Sequence, residues 1–142
     1  MVTLDAYAVL ALLRDEPAAG DVAGLLEGPT ALSAANYAEV VDHMMRHGGL
    51  GADEAEVRMR LLIEAGTQVI PVDDRIAARA GALRAVHYAR TSCAVSLADC
   101  CALATSLELG IPLATADPAL AQVARAQGCA VVALPDSHGV RP

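Results

Sequence analysis

The 142-residue chain has no phenylalanine, no tryptophan and no lysine, and its only aromatic side chains beyond histidine are three tyrosines. A core must therefore be built from Ala, Val and Leu, which dominate a composition that is 55% hydrophobic. Small aliphatic side chains suit helices packed tightly on a sheet. Ten arginines face seventeen acids, for a formal net charge of −7. The excess of positive charge needed to coat nucleic acid non-specifically is missing. No CxxC pair occurs among Cys93, Cys100, Cys101 and Cys129, and the adjacency of the middle two disfavours a disulfide between them. Buried, reduced thiols are the plain reading, with a metal or redox role as the alternative. No apolar run approaches the roughly 20 residues that span a bilayer. The opening "MVTLDAYAVLALLRDE" has an acid at position 5 and no basic leader, so a cytoplasmic protein without a membrane partner is expected. Gly20, Gly24 and Gly28 lack the spacing of a phosphate-binding loop, and no nucleophile elbow appears.

What is there is an alternation of short apolar runs with longer stretches of helical periodicity. That pattern predicts an α/β fold with a mainly parallel sheet, in one domain over residues 1–142. The expected strands are Met1–Leu4, Thr30–Leu32, Val69–Val72, Pro112–Thr115 and Ala130–Leu134. The expected helices are Ala6–Arg14, Ala18–Glu27, Ala34–His47, Ala52–Ala65, Arg75–Tyr88, Leu97–Leu109 and Ala119–Gln127. Gly28-Pro29, Gly48-Gly49, Gly66, Gly110 and Gly128 fall where helices should stop. The tail "PDSHGVRP" is turn-rich and is expected to cover little.

Four acids fall at strand ends or helix beginnings. Asp5 follows the first strand, Asp117 follows "IPLAT", Asp99 opens a helix three residues after Ser96, and Glu39 lies within "SAANYAEVV" after another strand end. Ligands of open parallel sheets bind at the carboxyl ends of the strands, so Asp5 and Asp117 should project into one crevice, with Glu39 and Asp99 at or near the same edge. Capping is the competing explanation for three of them: Asp117-Pro118, Ser96-x-x-Asp99 and Asp5 all suit helix starts. It does not explain Glu39, whose neighbours are mostly apolar. Carboxylates gathered without basic partners repel one another, and a hard divalent cation such as Mg²⁺ or Mn²⁺ resolves the conflict.

In this order, "VTLDAYAVLALLRDEPAA", "LSAANYAEVVD", "SLADCCALATSLELGIPLATADPAL" and "VVALP" resemble the PIN-domain ribonucleases, most of all the VapC-type toxins of toxin–antitoxin pairs. The resemblance implies a three-layer α/β/α sandwich with a short parallel sheet and an acid cluster holding Mg²⁺ or Mn²⁺. By position, Asp5, Glu39, Asp99 and Asp117 match the metal-binding catalytic acids, and Thr115 matches a hydroxyl beside them. It also implies cleavage of RNA by a metal-activated water, leaving 5′-phosphate and 3′-hydroxyl ends, a cognate antitoxin covering the active site, and a homodimer. The chain departs from the pattern at Tyr7, where many members carry Ser or Thr. A further acid is missing after Asp117, where Pro118-Ala119-Leu120 follow, which weakens a second metal position.

Other residues keep two readings each. The segment 75–98 has four arginines, one histidine and no acid. Arg84, His87 and Arg90 are candidate RNA contacts there, the alternative being a solvated face whose arginines pair with nearby acids. His43 and His47 have metal-ligand spacing but lack the Glu of the zinc-protease pattern, so an exposed helix face is expected. The favoured function is a toxin endoribonuclease. The alternatives are a PIN-like binding or regulatory module with little turnover, a housekeeping RNA-processing nuclease and, more remotely, a phosphatase-like hydrolase with an Asp nucleophile.

Overall fold

A computed structural model describes all 142 residues. Five strands form one parallel sheet: β1 (Val2–Leu4), β2 (Thr30–Ser33), β3 (Thr67–Ile70), β4 (Leu113–Thr115) and β5 (Val131–Ala133). Their order across the sheet is β3-β2-β1-β4-β5. The three central strands are buried throughout, as expected of short apolar runs covered on both faces. Seven helices cover them: α1 (Ala6–Leu13), α2 (Ala19–Leu25), α3 (Ala34–Arg46), α4 (Ala52–Glu64), α5 (Asp74–His87), α6 (Leu97–Leu109) and α7 (Pro118–Ala126).

Two hydrophobic clusters make the sandwich. One joins Leu4, Leu32 and Ala114 of the sheet to α1–α4 through Val9, Val22, Val40 and Met59. The other joins Leu113 to α5–α7 through Leu83, Leu103, Leu120 and Val123. Successive strand residues serve opposite faces, as pleating requires. Within α6 every residue from Cys100 to Ser106 is buried, so this helix is enclosed all round, and small side chains make that enclosure possible. All four cysteines are free thiols. Burial pushes Cys100 up to about 11, which argues for packing rather than reactivity.

The expected elements all occur, with one strand displaced. Val69–Val72 was the expected third strand, whereas β3 begins at Thr67 and ends at Ile70. It is an edge strand, so polar Gln68 can face outward, and buried Thr67 bonds the Thr30 hydroxyl at 2.8 Å. Pro71 then ends the strand, having no N–H to give. The tail also differs from expectation. Tyr7 donates its hydroxyl to the Pro135 carbonyl at 3.2 Å, and Arg141 donates to the Ala133 carbonyl and to Asp21. Residues after β5 are thereby laid back over the carboxyl edge of the sheet. No helix is long and apolar enough to cross a membrane.

Candidate active site

Register determines what meets at that edge. Leu4 pairs with Ala114 on one side and with Leu32 on the other. The next residues along the three strands are Asp5, Thr115 and Ser33, which therefore stand level. From β1 the chain passes to β2 and β3 on one side of the sheet and then crosses back to β4 and β5 on the other, so the opening beside β1 lies at a topological switch point.

Three of the four acids are held by a helix start, and the fourth, Glu39, by a side chain one turn before it. Asp5 is the N-cap of α1 and accepts from Ala8 N–H at 2.7 Å. Asp117 is the N-cap of α7 and accepts from Ala119 N–H at 2.7 Å, with Pro118 at the first helical position. Asp99 closes a reciprocal capping box with Ser96: Ser96 N–H donates to Asp99 Oδ2 at 2.7 Å, and Asp99 N–H donates to Ser96 Oγ at 3.0 Å. Glu39 is half-buried on α3 and accepts from Asn36 Nδ2 at 3.5 Å. Asn36 is wholly buried and is itself tied to Ser33, the N-cap of α3. Capping and convergence thus involve the same side chains.

The four carboxylates line one cleft of about 360 Å³, together with Tyr7, Leu10, His43, Asp136 and Ser137. No arginine or lysine lines it. Burial pushes Asp5 up to about 7, and Asp99 and Asp117 add to the rise. The Thr115 hydroxyl and the Ala8 N–H pull it part of the way back. Thr115 is buried and accepts from Asp117 N–H at 3.0 Å, which leaves its own hydrogen for Asp5. Burial, then the Asp99 charge, raises Glu39; burial also raises Asp99, with Asp117 adding to it.

This donor set suits a hard divalent cation. The acids carry only oxygen ligands and raise one another's proton affinity, a conflict that positive charge relieves. No three of the His, Cys, Asp and Glu side chains form a ready-made chelate. Mg²⁺, which keeps several waters and takes only one or two carboxylates directly, does not need such a chelate.

Of the other residues singled out by sequence, Thr115 is at the site and the basic trio is not. Arg84 lies against the Tyr88 ring, its Cζ 4.3 Å from the centroid. His87 meets Gln127 in a separate groove that Arg79 also lines, and Arg90 is exposed. Arg75 and Arg79 both pair with Glu108. Three contributors escaped sequence reasoning. Asn36 could have been found in the polar i, i+3 ladder Ser33–Asn36–Glu39. Asp136 and Ser137 depend on how the tail folds back, which no local pattern signals. His43, expected on an exposed face, reaches the cleft instead.

Comparison with known proteins agrees with this architecture. A family profile described as PIN domain matches residues 2–126. No curated relative matches the chain. Among solved structures, FitAcB from Neisseria gonorrhoeae is 27% identical, with 92% of this chain and 96% of that one covered and a TM-score of 0.65. VapC20 from Mycobacterium tuberculosis, a toxin that cleaves the sarcin–ricin loop, is 16% identical over the whole of both chains, with a TM-score of 0.68. VapBC2 from Rickettsia felis, bound to a DNA fragment of its promoter, is 12% identical, with 93% and 98% covered and a TM-score of 0.67.

Proposed function

The chain belongs to the PIN-domain family of nucleases, and from that premise we propose that it is a Mg²⁺- or Mn²⁺-dependent endoribonuclease, the toxin of a toxin–antitoxin pair. The observation that carries this reading is the convergence of Asp5, Glu39, Asp99 and Asp117 on one cleft free of Arg and Lys. These four would hold the cation, directly or through water. When bound, it supplies the charge that activates a water and offsets charge building on a phosphodiester. The protein's own part is positional. The caps fix Asp5, Asp99 and Asp117 through one oxygen each. Thr115 orients Asp5, and the Asn36 amide orients Glu39.

The family supplies the partners. A toxin–antitoxin complex from Klebsiella pneumoniae with a similar fold supports a cognate antitoxin, and VapBC2 on promoter DNA supports a second, regulatory role for the bound pair. Val57 and Leu61, one turn apart on α4 and more than half exposed, support a homodimer. The test is sequencing of 5′-phosphate RNA ends after induced expression, with Asp5→Asn and Asp99→Asn as controls. Asn is the informative replacement because its carbonyl can still cap the helix. New ends and growth arrest should vanish in both variants while their circular dichroism stays that of the parent. Equal toxicity of variants and parent would remove the catalytic assignment.

A further inference from the structure

The cleft is acidic on every side but one. His43 leaves α3 one helical turn beyond Glu39, on the same face, and it is the only nitrogen-bearing side chain in the lining. Arg14, the residue that ends α1, reaches His43 Nδ1 from Nη2 at 2.6 Å. A guanidinium can only donate, so Nδ1 is the acceptor and the neutral ring carries its hydrogen on Nε2. Partial burial, the Arg14 charge and His47, whose ring centroid is 4.6 Å away, favour that neutral form, against a weaker opposing pull from Asp42.

We propose that His43, positioned by Arg14, contacts the nucleic-acid backbone, its Nε2–H donating to a non-bridging oxygen of a phosphate next to the one that is cleaved. The inference rests on the nuclease reading. A polyanion laid across four carboxylates is repelled wherever neither a cation nor a donor meets it. A cation held by the four acids would answer for one phosphate, and the next one along the strand requires a donor at the rim. No side chain of the basic segment 75–98 lines the cleft: Arg75 and Arg79 are paired with Glu108, Arg84 lies against the Tyr88 ring, His87 bonds Gln127 in another groove, and Arg90 is outside the lining. An arginine placed in the cleft itself would pair with the carboxylates and compete with the cation. Arg14 avoids this by standing behind the imidazole, which passes its polarising effect forward without a formal charge.

The test compares parent, His43→Ala, His43→Gln and Arg14→Gln on a 5′-labelled single-stranded RNA of mixed sequence. Binding is read by fluorescence anisotropy in Mg²⁺, and cleavage as separate kcat and KM. His43→Ala should raise Kd and KM about tenfold, the value of one hydrogen bond to a charged group, with kcat little changed. His43→Gln, whose amide N–H reaches toward the position of Nε2–H, should recover most of that loss, and Arg14→Gln should fall between. Methylphosphonate at the neighbouring phosphate should weaken the parent and leave His43→Ala unaffected. Unchanged Kd in His43→Ala, or a loss confined to kcat, overturns the proposal. Because binding is read apart from turnover, a parent that binds RNA without cutting it sinks the nuclease reading alone. A parent that neither binds nor cuts sinks both.

Discussion

Asp5 is where folding and site formation pull against each other. It caps α1 and is almost wholly buried beside two other acids, so its charge is costly in the absence of a cation. Its carboxyl takes up a proton near pH 7 in the fold but near 3.8 in the unfolded chain. A group with a raised native pKa contributes stability that is fully present below the lower value and lost as pH rises through the higher one. Metal-free protein should therefore lose stability between about pH 4 and 7, by at most roughly 4 kcal/mol for this residue. Glu39 and Asp99 act in the same direction. Melting curves in chelator should show Tm falling from pH 5 to 8, and Asp5→Asn should flatten the profile and raise Tm at pH 8. If the Asn variant keeps the parent's slope, burial of this carboxyl is not the source of the loss. Asp5 and Asp117 stand out in the sequence as strand-end acids, because parallel strands deliver their carboxyl ends to one edge; Asp99 stands out only as a helix-start acid and Glu39 only as a carboxylate among apolar neighbours. Asn36 is not legible that way, since its role is to hold Glu39 and its type is common in helices.

At the scale of elements, helix and strand identities follow from periodicity, and their ends from chemistry that periodicity does not see. Gly110 ends α6 at φ 63, as the placement of glycines leads one to expect. The end of α1 has no glycine. Asp15 takes the left-handed conformation there, at φ 55, just after the arginine that serves the cleft. Aspartate adopts it at a cost that glycine avoids, so Asp15→Gly should stabilise the protein by about 1 kcal/mol, read as a rightward shift of the urea midpoint at unchanged slope. A leftward shift would mean that the Asp15 side chain contributes more than its backbone costs. The displacement of β3 has a similar origin: an edge strand tolerates Gln68, and a search for apolar runs passes over it. The enclosure of α6 is legible only in part, because its small and apolar run Cys100–Ala104 marks a helix segment hidden on all sides without saying what covers it.

For the molecule as a whole, the tail is the feature that local reading misses. Its hold depends on contacts far apart in the chain, Tyr7 with Pro135 and Arg141 with Asp21. Asp136 closes the turn by accepting from His138 and Val140 N–H at 2.8 and 2.9 Å. Removing the Tyr7 hydroxyl should cost about 1 kcal/mol and speed amide exchange at residues 136–140, with the central strands unaffected. Exchange in Tyr7→Phe identical to the parent would show the tail to be held by its own turn. The strand order carries a consequence for synthesis as well. β1 is made before the other four strands yet lies between β2 and β4, and the cleft takes side chains from Asp5 to Ser137. A nascent chain has no assembled cleft until Ser137 has been made, so a protein with the proposed activity would be harmless to the ribosome up to that point of its synthesis.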